Sequence, residues 1–285
     1  MRADKANMMK FKKYLLLLTL ATLTLGGALT PTASAAPKAE AWPRWQASDE
    51  QSEVQIDHSA WGKFLLQYLV PGQASEPNRL RYAAVAAGDK AALVHYLDRL
   101  TAVPVTKLKR AEQKVYWINL YNALTVNSVL DHYPLKSIRD IKSGWFSAGP
   151  WDLKLIRVEG IELTLNDIEH RILRPLWQDN RVHYALNCAS LGCPNLQPEP
   201  FTAKNSEYLL EQAARDFINS PRGVHFDEDS LVLSSIYDWF QADFGADEIE
   251  VIKYLQTYAS PALAEQLRGF HGTVSYQYDW NLNGI

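Results

Sequence analysis

The sequence predicts an α+β domain, mainly helical, with a small antiparallel sheet packed around a central buried helix. Three observations predict it. Helical periodicity and hairpin signatures occupy separate stretches instead of alternating. One long helical stretch is apolar nearly all round, which marks a helix covered on most sides. Two pairs of short β-prone runs flank the turn residues Glu159-Gly160 and Asp227-Glu228-Asp229-Ser230.

The chain begins with a targeting pattern. Lys10, Lys12 and Lys13 precede an apolar run from Tyr14 to Leu25, and Ala33-Ser34-Ala35 follows. This is the order of a secretory signal peptide, with cleavage expected after Ala35. The run is shorter than the roughly 20 residues a bilayer span needs, so no membrane span is expected in the mature chain. Residues 1–35 are therefore read as a signal peptide, 36–56 as a leader arm rich in Pro, Ala and polar residues, and 57–285 as one domain. The expected location is the periplasm or the outside of the cell.

Within the domain, Ala60, Phe64, Leu65 and Tyr68 recur at helical spacing as far as Pro71. A second helix is expected from Asp89 to Leu100, with Leu93, Tyr96, Leu97 and Leu100 on one stripe. Thr106 reads as the N-cap of a long helix ending near Pro134. Next come a hairpin across Glu159-Gly160 and a helix opened by Thr164 with Asp167 three residues on, a capping-box-like start. Residues 181–187 alternate as a strand, placing His183 and Asn187 on one face and Cys188 on the other. An amphipathic helix over 206–219 stops at Pro221. A second hairpin, three helices (236–244, 247–258, 261–267) and a last strand near 273–276 complete the chain.

Composition narrows the function classes. The whole chain carries a formal charge of −3; removing residues 1–35 takes away Arg2, Lys5, Lys10, Lys12, Lys13 and one acid, Asp4, leaving −7. An acidic surface argues against nucleic acid and anionic membranes as partners. A small-molecule, peptide or glycan ligand is the remaining class, and nine Trp and fourteen Tyr suit such contacts, although aromatics more often serve the core. No phosphate-cradling Gly loop, Gly-x-Ser-x-Gly elbow or His-Glu-x-x-His pair is present. No cofactor is assigned.

Two stretches carry the candidate chemistry. In the long helix, Asn119 and Asn122 lie in a stripe with Val115, Ile118, Val126 and Val129. A buried amide without partners costs about 1–3 kcal/mol, so both need fixed hydrogen-bond partners, either loops that they tie to the helix or a bound ligand. The second stretch is 181–194, with the only two cysteines, Cys188 and Cys193. In an exported protein the default is a disulfide closing a small loop. A second reading makes Cys188 a nucleophile with His183 as base and an asparagine as orienter. A third takes His183, Cys188 and Cys193 as zinc ligands with one open position, at a spacing uncommon for zinc. Glu169 either pairs with an arginine or works as an acid/base with His183. His58, His95, His132, His225 and His271 read as surface or loop residues. Asp238 and Asp243, around Trp239-Phe240, read as helix-capping and solvating acids.

Five blocks in order give the chain a family resemblance. They are Tyr116-Trp-Ile-Asn-Leu-Tyr-Asn-Ala123, Leu165-Asn-Asp-Ile-Glu-His170 with Ile172-Leu173-Arg174, Val182 to Pro194, Tyr237-Asp-Trp-Phe-Gln-Ala-Asp-Phe244, and Tyr278-Asp-Trp-Asn-Leu-Asn283. Together they resemble the domain of unknown function 547 family from about Trp61 to Asn283. Gly192 stands where the family pattern often has Ser. The resemblance implies a fold and the motif positions Asn119, Asn122, Glu169, His170, His183, Asn187, Cys188, Ser190 and Cys193, but no reaction. A central helix followed by a His-bearing strand is similar in outline to papain-like and transglutaminase-like enzymes, though those place a cysteine at the start of the helix. The resulting expectation is an exported hydrolase or transferase. His183, Cys188, Glu169 and Asn187 would be its catalytic residues, and Asn119, Asn122, His170 and Ser190 would bind ligand. The competing expectation is a non-catalytic envelope binding module stapled by a Cys188–Cys193 disulfide.

Overall fold

The computed structural model describes residues 37–73, 75–142, 144 and 149–285, so the signal-peptide reading lies outside the described residues. The α+β class holds. Helix α1 (Ser59–Tyr68) buries Trp61, Phe64, Leu65 and Tyr68, and leads into a two-stranded ribbon of β1 (Leu69–Val70) and β2 (Arg79–Leu80). Helix α2 (Ala87–Thr101) buries its predicted stripe of Leu93, Tyr96, Leu97 and Leu100.

The central helix α3 runs Arg110–His132, and every residue from Glu112 to Val126 is buried. It starts after Lys109 and not at Thr106. Thr106 is otherwise engaged: its N–H and its hydroxyl both donate to Glu159 Oε1, at 2.8 and 2.9 Å. That carboxylate belongs to the turn between β3 (Ile156–Val158) and β4 (Ile161–Leu163). Glu159 and Gly160 both have positive φ (45° and 81°), the conformation a tight two-residue hairpin requires.

Thr164 and Asp167 form the predicted reciprocal pair, with Thr164 N–H on Asp167 Oδ2 (3.1 Å) and Asp167 N–H on Thr164 Oγ1 (3.0 Å). The helix they open is a π-helix, Asp167–Leu173, which tightens into α4 (Arg174–Trp177). Pro175 has no N–H, so it can serve neither the carbonyl five residues back (His170) nor the one four back (Arg171). Residues of the N-terminal arm supply both donors: Glu40 N–H to His170 O (3.1 Å) and Trp42 N–H to Arg171 O (3.0 Å). The arm is fixed further on by Trp45, which is buried edge-on against Trp117 at 5.1 Å.

The predicted strand over 181–187 is absent: Val182–Ala185 is a short helix, α5. Asp179 nucleates it. Its Oδ1 accepts Arg181 N–H (3.0 Å) and the Arg181 side chain (2.9 Å), and its carbonyl accepts Val182 N–H (3.0 Å). Such a turn outcompetes an extended backbone. His183 and Asn187 therefore do not share a strand face, and the papain-like outline, which needed a His-bearing strand, is not reproduced.

Helix α6 (Ser206–Ile218) precedes β5 (Val224–Asp227) and β6 (Ser230–Ser234), which form the second predicted hairpin. Short helices α7 (Ile236–Trp239) and α8 (Gln241–Phe244) follow, then α9 (Glu248–Tyr258), α10 (Pro261–Arg268) and β7 (Thr273–Gln277). Strand β7 joins β6 in parallel, so this sheet is mixed. Two apolar cores result. Val182 and Ala185 pack into the one around α3, and Tyr184 packs into the one formed by α6, the mixed sheet and α7–α10. The single turn α5 thus lies on the seam between them, and His183 projects from it.

Candidate functional site

At the seam, His183 and two carboxylates meet. His183 Nε2 donates to Asp243 Oδ2 at 2.7 Å, while Nδ1 faces Glu169 Oε1 across 3.9 Å. The second distance is too long for a hydrogen bond, so Nδ1 makes none to Glu169. Phe240 stacks on the imidazole with centroids 4.4 Å apart. Arg174 Nε donates to the same Asp243 oxygen at 2.6 Å. Burial alone would raise the Asp243 pKa, but His183 and Arg174 together hold its carboxyl well below the ordinary range.

His170 lies beside this group. Its Nδ1 accepts from Arg174 Nη1 at 3.0 Å and lies 3.9 Å from Glu169 Oε1. Burial lowers its pKa, opposed by Glu169. Burial, with the adjacent Glu169 charge, raises the phenol of Tyr121 on α3 far above its usual range. The guanidinium of Arg174 also donates to Pro37 O at 2.7 Å, so the N-terminal arm closes the cluster from one side.

The thiols form a neighbouring centre. Cys188 and Cys193 are free, which overturns the disulfide expectation. Cys188 Sγ lies 3.2 Å from Ser190 Oγ and 3.1 Å from Tyr278 OH. Cys193 Sγ accepts Cys188 N–H at 2.9 Å and Tyr278 OH at 3.2 Å. Burial pushes both thiols up. For Cys193 the hydrogen bonds from Cys188, Tyr278 and Ser190 outweigh it and bring the pKa down to about 7, whereas Cys188 stays well above its usual value.

The zinc set is not assembled. The His183 ring is engaged with Asp243, the sulfurs face Tyr278, and among the described residues no group of three or more His, Cys, Asp or Glu could hold a metal. The Cys188–His183 hydrogen bond of the nucleophile reading is likewise not formed, because Ser190 and Tyr278 take the Cys188 sulfur.

The predicted polar residues divide by task. Asn119 donates to Phe201 O (2.7 Å) and accepts Phe201 N–H (3.1 Å); Asn122 donates to Ala185 O (2.8 Å) and accepts Asn187 N–H (2.8 Å). Both tie later segments of the chain to α3. Asn187 binds the 188–194 loop internally, through Pro194 O (2.8 Å) and Ala189 N–H (2.9 Å). Two readings are corrected here. His58 is a buried residue whose Nδ1 lies 2.6 Å from Tyr96 OH, and Asp243 is the direct partner of His183. Only a sequence spacing of 60 residues connects Asp243 to His183, so no local pattern could have paired them. Tyr278 was missed for the same reason.

Two open cavities lie elsewhere. One of about 540 Å³ is lined by Asn78, Asn195, Tyr208 and Arg215, and one of about 530 Å³ by Gly192, Arg222, His225, Tyr278 and Asp279. The second borders the thiol centre through Tyr278, and neither is lined by His183 or Glu169.

Residues 105–218 match the model of a family described as "Protein of unknown function, DUF547". No curated protein and no solved structure matches the chain.

Proposed function

We propose that the chain, whose residues 105–218 match the DUF547 family model, is an exported hydrolase or transferase using general acid–base chemistry at His183. The single observation that carries this reading is the imidazole held between two carboxylates. Asp243 fixes the Nε2–H tautomer at 2.7 Å, and Glu169 stands 3.9 Å from Nδ1. Nδ1 is then the basic atom. It takes a proton from a substrate hydroxyl, amine or water entering the gap, and the imidazolium formed is stabilised by a carboxylate on each side. Arg174 keeps Asp243 ionised and orients it. Phe240 covers one face of the ring, and the arm holds Arg174 through Pro37 O. The substrate class is a peptide, amide or glycan of the cell envelope or its surroundings. Export follows from the basic, apolar and small-residue order of residues 10–35.

The test is turnover of panels of peptide amides and glycans by the exported protein and its variants. His183→Ala and Asp243→Asn are expected to lower kcat about 10²–10⁴-fold, the range of a positioned acid–base group. Glu169→Gln is expected to lower kcat with KM little changed and to shift the pH profile. Wild-type turnover in both His183→Ala and Asp243→Asn, with folding intact, would refute the reading.

A further inference from the structure

We propose that Cys188 and Cys193 form a binding site for a soft monovalent metal ion, copper(I), separate from the imidazole cluster. Both sulfurs converge on one phenol oxygen, Tyr278 OH, at 3.1 and 3.2 Å, and Cys193 Sγ lies 2.9 Å from the Cys188 N–H. The two thiols are therefore brought together by the fold without being bonded to each other.

The loop that carries them is fixed before any ligand arrives. Leu191 N–H donates to Asn281 O and Gly192 N–H to Asp279 O, both at 2.8 Å, so the C-terminal tail is laid directly against the loop. A Cβ at Gly192 would come within 2.7 Å of Asp279 N, so this close approach needs glycine. Arg222 holds the carbonyls of Leu191 and Cys193 and is itself held by Asn195 Oδ1 at 3.0 Å. Such a loop loses little freedom on taking up an ion.

Donor chemistry selects the ion. Thiolates favour soft metals, copper(I) above all, and hard divalent ions need oxygen ligands. Zinc wants four donors, and the described residues bring no third His, Cys, Asp or Glu to the sulfurs. Copper(I) is satisfied by two thiolates. Binding forms two Cu–S bonds and releases both thiol protons to solvent, with no change in oxidation state. Trp239, Trp280 and Trp151 extend from the Tyr278 ring as an aromatic wall, with centroid separations of 4.8 Å (Trp239–Tyr278), 4.6 Å (Tyr278–Trp280) and 5.8 Å (Trp151–Trp280). Cys188 is half-buried and offers the entry side, and Cys193 is buried behind it.

The experiment is an anaerobic titration of the reduced full chain against the coloured bis-bathocuproine disulfonate complex of copper(I). One equivalent of copper(I) is expected to leave the dye per chain. Cys188→Ser and Cys193→Ser are each expected to lose that withdrawal, and His183→Ala to retain it, which separates this site from the acid–base centre. Because Cys193 is buried and its variant could misfold, copper-edge X-ray absorption on the loaded wild type supplies an independent reading, with two sulfur neighbours expected. No withdrawal by the wild type, full withdrawal by Cys188→Ser, or a first shell without two sulfurs would overturn the proposal.

Discussion

Asn122 engages both ends of its amide with backbone that has no other partner there, the Ala185 carbonyl and the Asn187 N–H. Replacing it with Leu conserves size and leaves both groups buried and unpaired. Each orphan costs about 1–3 kcal/mol, so Asn122→Leu is expected to lose on the order of 4 kcal/mol in urea unfolding. A loss below about 1 kcal/mol would show that these ties do not hold the seam. The need for partners was legible in the sequence, because an amide inside an apolar stripe must be satisfied. Which groups satisfy it was not, since they lie 63 and 65 residues away. Asp243 shows the opposite case: an acid beside Trp239-Phe240 reads locally as a helix-end residue, and only the folded chain puts it on His183.

Periodicity located the helices and hairpins whose patterning spans a whole element, as in α2, α3, α6 and β5–β6. It failed at α5, where four residues are too few to distinguish a strand from one helical turn and Asp179 decided the outcome through local hydrogen bonds. The π-helix likewise gave no sequence signal beyond Pro175, because the arm that completes its carbonyls comes from another part of the chain. Deleting residues 37–42 while keeping Trp45 would orphan the His170 and Arg171 carbonyls. The expected results are a loss of about 2 kcal/mol and faster amide exchange across 172–178, read by mass spectrometry. Unchanged exchange there would show that the arm is not part of the element.

Across the whole molecule, acid should destabilise the fold in two stages. Burial lowers the His58 pKa from 6.5 to about 4, and it also lowers that of His170. Between those values the unfolded chain binds more protons, so stability falls as pH drops from about 6.5 towards 4. For His58 this amounts to on the order of 3 kcal/mol at most. Asp243, whose pKa is depressed in the folded chain, keeps its contribution above the unfolded carboxylate pKa of about 4 and loses it only below. Tm measured from pH 7 to pH 4 should fall steadily, and His58→Gln should flatten the slope; an unchanged slope would count against the assignment to His58.

The sequence by itself determined the α+β class, the buried central helix, most element positions and the two helix amides, Asn119 and Asn122, that need partners. Those properties depend on neighbours within a few residues along the chain, where spacing and turn chemistry act. Tertiary structure alone decided that Asp243 holds His183, that Tyr278 gathers the two free thiols, and that the N-terminal arm closes a π-helix. Each of these is a contact between segments 60 to more than 100 residues apart, made possible by the packing of two cores against one helical turn.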